Sequence, residues 1–170
     1  MPRSFDLSAD YPASVERVRS AFADEQYWLA RLADSGADDA TLDVLRVGTD
    51  GTIAVSTTQV LRADRLPGVV TQLHRGDLRI ERHETWQPVA AGRAPATLKA
   101  DIPGAPVKVN GDAVLRRSDA DAGSRMEVRV SVEVRIPLVG GKVETFIGGQ
   151  LVDLLIAEQR FTTGWLGKQS

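Results

Sequence analysis

Apolar and polar residues alternate along most of the chain, a period of two that is typical of half-buried strands. The first such run covers 4–11, where Phe5, Leu7, Ala9 and Tyr11 share one side. Further runs occupy 41–48, 52–62, 78–87, 95–102, 107–117 and 125–136. Short turns separate most of them, including Asp50-Gly51, a strong hairpin signal. Since strands joined by short turns are usually antiparallel neighbours, the pattern predicts one antiparallel sheet of six to seven strands.

Three stretches follow helical spacing instead. Ser14 is a good N-cap for a first short helix at 14–23, and a second covers 25–34. A long apolar-periodic stretch at 141–166 is the only element long enough to cover the concave face of a curved sheet. The predicted fold class is therefore α+β: a curved sheet wrapped around a long C-terminal helix, with two short helices after the first strand. No linker or repeat divides residues 1–170, which we expect to form a single domain.

Composition narrows the function classes. The chain has 170 residues, 42% of them hydrophobic and 26% charged, with a net charge of −2 and no cysteine. The charge is spread along the chain and offers no basic footprint for nucleic acid. Without cysteine there is no disulfide or thiol nucleophile, and the spacing of His74 and His83 matches no metal motif. No signal region or membrane-spanning apolar run is visible, so a cytoplasmic protein without an integral membrane segment is expected.

The element order is accompanied by several short motifs: Ile136-Pro137-Leu138-Val139-Gly140-Gly141-Lys142-Val143-Glu144, then Glu158, Phe161 and Trp165-Leu166, and in the middle Leu66-Pro67 through Gly76-Asp77 and Glu84-Thr85-Trp86. The chain resembles the START-like (SRPBCC) superfamily, whose helix-grip fold is shared by the Bet v 1 allergens, polyketide cyclases and lipid-transfer domains. Within it, the chain looks most similar to the actinobacterial family labelled domain of unknown function 2505 (DUF2505). The resemblance covers essentially the whole chain and implies a cavity between sheet and helix, but no common catalytic residues.

Small side chains on two neighbouring strands agree with a cavity. The inward positions are Ala94, Ala96, Leu98, Ala100 and Ile102 on one strand and Val107, Val109, Gly111, Ala113 and Leu115 on the next. Protein interiors are close-packed, so something must fill the volume that these residues leave. One interpretation is a bound ligand; the other is that the large helix residues Phe146, Leu154, Phe161 and Trp165 fill it.

Polar residues interrupt the inward face. Arg82 and Glu84 share a face with Leu78 and Trp86, so they are either buried and paired, in contact with a polar ligand group, or solvated where the strand end rises into water. The same alternatives apply to Thr57 and Gln59, which are on the inward face of the preceding strand. On the helix, Gln150 and Glu158 lie beside the apolar stripe, where they reach a ligand head group or keep their polar ends in water.

We therefore predict that the protein binds or carries a hydrophobic, lipid-like or polyketide-like small molecule, with no cofactor, metal or catalytic residue assigned. The candidate ligand-binding residues are Val55, Thr57, Gln59, Ile80, Arg82, Glu84, Leu98, Ala100, Val109, Ala113, Val130, Phe146, Gln150, Leu154 and Glu158. The alternatives are a cyclase or hydratase that uses Arg82, Glu84 or Gln59, and an interaction protein with a filled core. A chamber of several hundred Å³ favours the first two, whereas a solid core favours the third. Within the first two, polar groups that converge on one point favour catalysis, and a uniformly apolar wall favours carriage.

Segment 66–76 is predicted to control access to this cavity. It has the pattern of a short amphipathic helical turn that ends at Gly76, in which Pro67 and Gly68 precede the apolar Val69, Val70 and Leu73. Such a segment, hinged at both ends, would cap the opening between sheet and helix.

Overall fold

The computed structural model describes residues 2–66, 68–71, 74–119 and 123–168. Its strands are β1 (Arg3–Tyr11), β2 (Asp39–Val47), β3 (Ile53–Leu61), β4 (Leu78–Trp86), β5 (Arg93–Asp101), β6 (Val107–Arg117) and β7 (Ser124–Val134). Its α-helices are α1 (Val15–Phe22), α2 (Glu25–Asp34), α3 (Gly68–Thr71) and α4 (Gly140–Lys168). The predicted elements are confirmed, with boundaries shifted by one or two residues.

Within the described residues, seven strands form one antiparallel sheet in the order β1-β7-β6-β5-β4-β3-β2. The chain thus adopts the helix-grip α+β fold. The register places Glu84 between Val55 of β3 and Leu98 of β5, and Arg82 between Thr57 and Ala100. Strand alternation therefore puts these polar residues on the same inward face as the apolar ones.

Helices α1 and α2 close one end of the sheet. Ser14 and Asp24 cap them, since their side chains accept hydrogen bonds from the backbone amides two or three residues further on. Phe22 contacts Trp86 of β4, with ring centroids 5.0 Å apart. The indole of Trp28 donates a 2.7 Å hydrogen bond to the backbone oxygen of Phe22. An aromatic cluster thus fills this end of the concave face.

Helix α4 packs on β1 and β7, the two strands at one side of the sheet. Gly148 lies directly on the ring of Phe5, where a side chain would overlap the ring. Near the start of the helix, the buried carboxylate of Glu144 accepts a 2.8 Å hydrogen bond from the backbone amide of Val134. The mid-helix glycine therefore allows a close approach of α4 to the sheet.

The segment between β3 and β4 contains a 3₁₀ turn at Ala63–Arg65 and the short helix α3. Gly76 has a φ of +84°, which closes the segment as predicted. Pro67 and Leu73, two residues of the predicted cap, lie outside the described residues, as does Gln72. The imidazole of His74 lies near Gly104 in the turn between β5 and β6, so the end of the segment reaches that turn.

Candidate functional site

The concave face of β4, β5 and β6 is buried at both ends and partly exposed between them. Trp86, Ala96 and Ala113 are buried beneath the aromatic cluster, and Leu78 and Val107 are buried at the other end. Inward side chains between these ends stay partly exposed, and α4 packs over β1 and β7. They are Ile80, Leu98, Ala100 and Val109. We call the space between these four residues and α4 the concave groove.

Four charged side chains meet beside the concave groove. Arg82 forms a two-pronged pair with Glu158 of α4, with Nη1–Oε2 and Nη2–Oε1 distances of 2.7 and 3.0 Å. Arg31 of α2 contacts the same carboxylate at 2.7 Å, and Nε of Arg82 lies 3.4 Å from Glu84. The four side chains are only 6–15% exposed. We call them the charged quartet; it holds two positive and two negative groups.

The quartet decides between the alternatives for the polar residues on β4. Arg82 and Glu84 are buried and paired, so the alternative in which they are solvated at a strand end is wrong. Helices α2 and α4 both pack close to β4 at this point and exclude water. Helix α2 supplies the positive charge of Arg31, and α4 supplies the negative charge of Glu158. Glu158 is likewise turned inward, whereas Gln150 is exposed on α4.

Aromatic and hydroxyl groups hold the quartet from α2 and α4. The guanidinium of Arg31 stacks on the ring of Trp28 at 4.6 Å and donates to the hydroxyl of Tyr27 at 3.3 Å. That hydroxyl lies 2.6 Å from Oγ1 of Thr162, one turn after Glu158 on α4. Arg31 lies one turn after Tyr27 and Trp28 on α2, and Thr162 lies one turn after Glu158 on α4, so the helices fix the geometry of this network.

Glu158 and Arg82 keep their charges near neutral pH. Burial alone would raise the pKa of Glu158, but the charges and hydrogen bonds of Arg31 and Arg82 outweigh it and bring the pKa to about 2. Burial by itself lowers the pKa of Arg82, but the negative charges of Glu158 and Glu84 outweigh this effect and raise the pKa overall. Burial also raises the pKa of Tyr11, which borders the same space. Glu158 therefore stays ionised, Arg82 stays positive, and Tyr11 keeps its proton.

Two of the cavities lined by described residues border the quartet, and both contact all four of its members. The first, about 40 Å³, extends toward Trp86, Leu98 and Ala113. The second, about 60 Å³, extends toward Thr57 and Gln59. Neither reaches the several hundred Å³ expected of a ligand pocket; each has room for only a few water molecules. The quartet and the large side chains around it occupy the middle of the space that the small strand residues leave.

The structure brings most of the predicted site residues together around these cavities. Thr57, Gln59, Arg82, Glu84, Leu154 and Glu158 line the second cavity, and Leu98 and Ala113 line the first with the charged residues. Val55 and Val130 are buried in the core, while Ile80, Ala100, Val109 and Phe146 are partly exposed. These six line neither cavity, and Gln150 lies on the exposed side of α4.

Arg31 and Tyr27 belong to the site but were missed as site residues. The available signal was their spacing of four on α2, beside the buried Trp28 and Leu32, which places an arginine on the apolar face of a short helix. A charged residue on such a face needs a partner, and the partner here comes from the other end of the chain.

The described part of the chain was also compared with three other kinds of feature: a catalytic histidine, a metal site and a membrane-spanning helix. His83 is exposed on the outer face, as alternation predicts, and its Nδ1 lies 2.8 Å from Oγ of Ser56. Among the described residues, no three His, Cys, Asp or Glu side chains are placed to hold a metal ion. None of the helices in the described ranges has the length and apolarity needed to span a bilayer.

Comparison with known proteins agrees with this architecture. The family model described as protein of unknown function (DUF2505) matches residues 6–166. The uncharacterized protein Rv0481c of Mycobacterium tuberculosis is 54% identical over 170 residues, which cover 98% of each chain. The crystal structure of TTHA0849 from Thermus thermophilus superposes with a TM-score of 0.61 at 16% identity over 99% of both chains. Norcoclaurine synthase from Thalictrum flavum gives 0.59 at 10% identity, over 98% of this chain and 87% of the synthase. These distant structures share the fold.

Proposed function

The chain belongs to the DUF2505 family, and on that premise we propose that it binds a hydrophobic small molecule in the concave groove. The observation that carries this proposal is an apolar strip on the inner face of the sheet that stays partly exposed beside a buried set of charges. The apolar part of the ligand lies on Ile80, Leu98, Ala100 and Val109, and its polar end faces the charged quartet.

The energetics of the concave face support an apolar ligand. The inner face of a curved sheet is normally covered by another layer, and α4 covers β1 and β7. Each Å² of the remaining apolar surface that a ligand removes from water contributes about 25 cal/mol. On α4, Leu154 and Phe161 border the second cavity, so the opposite wall is apolar as well.

The enclosed cavities are too small to hold a whole ligand. A ligand of several hundred Å³ does not fit into spaces of about 40 and 60 Å³, so it must occupy the open groove or displace the wall. We place the entrance between segment 66–76 and the turn between β5 and β6, which meet where His74 lies beside Gly104.

Binding is favoured over the cyclase or hydratase alternative by the protonation states. Polar groups do converge here, as catalysis would need, but Glu158 holds a pKa of about 2 and accepts hydrogen bonds from two arginines. The pKa of Arg82 is raised, and Gln59 does not titrate. A general acid or base works best with a pKa near the working pH, and Glu158, Arg82 and Gln59 lack one. Glu84, the remaining residue of that alternative, lies 3.4 Å from the guanidinium of Arg82.

The test is displacement of a neutral fluorescent probe, phenylnaphthylamine, combined with native mass spectrometry of the purified protein. We expect the probe to gain fluorescence with the wild type and to lose it with Ala100→Trp, whose indole fills the groove floor. Lys99→Trp is the matched control, because it adds the same ring to the outer face of the same strand and should leave binding unchanged. Absence of probe binding to the wild type, or equal binding by both variants, would overturn the proposal in favour of a protein with a filled core.

A further inference from the structure

Two polar groups that line the first cavity have unused hydrogen-bonding capacity. The indole Nε1–H of Trp86 is buried, on a residue that is 2% exposed, and donates to no described acceptor. The buried carboxylate of Glu84 pairs with Nε of Arg82 at 3.4 Å, which leaves lone pairs on its oxygens for a further donor. Both residues line the cavity and stand two positions apart on the inward face of β4. Unpaired buried polar groups are costly, so this corner is suited to a polar ligand atom.

The two groups have complementary requirements. Trp86 can only donate a hydrogen bond, and an ionised Glu84 can only accept one. A hydroxyl group serves both at once, because its oxygen accepts from the indole while its proton is donated to the carboxylate. We infer that the polar end of the ligand is a neutral hydroxyl, so that the protein selects apolar alcohols and phenols. This inference rests on the proposed function.

The charges around the cavity disfavour the charged alternatives. Arg31 and Arg82 face Glu158 and Glu84, so the two positive charges of the quartet are already balanced by two negative ones. A ligand carboxylate would bring a third negative charge next to Glu84 and Glu158, buried and without a counter-ion. A ligand ammonium could pair with Glu84, but it has no lone pair to accept the proton of Trp86, and it would lie close to the guanidinium of Arg82.

The experiment compares three ligands with the same alkyl chain: dodecanol, dodecanoate and dodecylamine. Each competes with phenylnaphthylamine for the wild-type protein at neutral pH, below its micellar concentration. We expect dodecanol to bind at least roughly tenfold more tightly than dodecanoate or dodecylamine, because a site that pairs with a hydroxyl rejects groups that leave its polar atoms unpaired.

Variants identify the residues responsible. Trp86→Phe removes the hydrogen-bond donor and should lower the affinity for dodecanol roughly 2- to 12-fold, the range expected for the loss of one hydrogen bond. Glu84→Gln removes one negative charge and should narrow or reverse the preference for dodecanol over dodecanoate. Glu81→Gln makes the same change on the outer face of β4 and should leave all three affinities as they are. Thermal unfolding of each variant checks that the fold is retained.

The outcomes separate this inference from the proposed function. Suppose that phenylnaphthylamine binds and that dodecanoate or dodecylamine has the same affinity as dodecanol. The hydroxyl assignment is then overturned, while the proposed binding of an apolar molecule in the concave groove stands. Should all three ligands fail to displace a bound probe, the hydroxyl assignment is overturned in the same way. If the probe itself does not bind, the proposed function fails, and this inference fails with it. An unchanged preference in Glu84→Gln would also contradict the role of that carboxylate.

Discussion

Glu158 and Arg82 face each other in a two-pronged ion pair that links the C-terminal helix to the fourth strand, 76 residues earlier in the chain. The two parallel N–H···O contacts match the fork of a guanidinium to the two oxygens of a carboxylate. Because the pair spans the space between α4 and the sheet, it holds the helix at this height above the concave groove. The same pair divides the space into two small cavities.

Removal of the shared carboxylate should be strongly destabilising. Glu158→Ala leaves Arg31 and Arg82 buried without their partner, and breaking a buried pair in this way costs about 3–5 kcal/mol. Urea unfolding measures the change. Asp6→Ala is the control, since it breaks the exposed pair with Arg129, which water and salt screen, so its loss should change stability far less. Equal losses in the two variants would contradict the importance of the quartet.

Acid should weaken the fold through the same residue. The pKa of Glu158 is about 2 in the folded protein, below its ordinary value of 4.5, so the folded state binds this proton less readily. Its contribution, roughly 3 kcal/mol, is therefore fully present above about pH 4.5 and is lost as the pH falls toward 2.

The comparison with Glu158→Gln isolates this effect from that of other carboxylates. We expect the difference in unfolding free energy between wild type and variant to shrink as the pH is lowered from about 6 to about 3, because only the wild type must protonate this group. A difference that stays constant over this range would show that Glu158 does not carry the depressed pKa.

The two central glycines of α4 should respond in opposite directions to the same substitution. A methyl group at Gly148 overlaps the ring of Phe5, so Gly148→Ala should destabilise the protein by about 1–3 kcal/mol through overpacking. Gly149 has open space around it, and Gly149→Ala should stabilise the helix by up to about 1 kcal/mol. Thermal and urea unfolding measure both. A stabilising Gly148→Ala would show that the helix does not press on Phe5.

Filling the first cavity should abolish ligand binding. Ala113 is 2% exposed and lines this cavity, so Ala113→Phe occupies the space where the polar end of a ligand would sit. The added ring costs about 1–3 kcal/mol of stability but keeps the fold. Val114→Phe places the ring on the outer face of the same strand as a control. Probe fluorescence should be lost only in the first variant; retained binding there would place the ligand elsewhere.

Local features of the sequence predicted the elements of the fold. Period-two alternation identified the strands, Ser14 marked the start of α1, and Asp50-Gly51 marked the turn between β2 and β3. These signals are read over a few residues, because the geometry of a strand or a cap is itself local. The same alternation showed that Arg82 and Glu84 face inward, which the structure confirms.

Only the tertiary structure decided what those inward charges meet. Their partners lie on α2 and α4, far away in the chain, and they reach Arg82 because of the position at which each helix crosses the sheet. That position depends on packing such as the contact of Gly148 with Phe5, which no local pattern encodes. The volume of the cavities follows from the same packing. The sequence by itself therefore determined the elements and their inward faces, while the pairing of buried charges and the room left beside them are properties of the assembled layers.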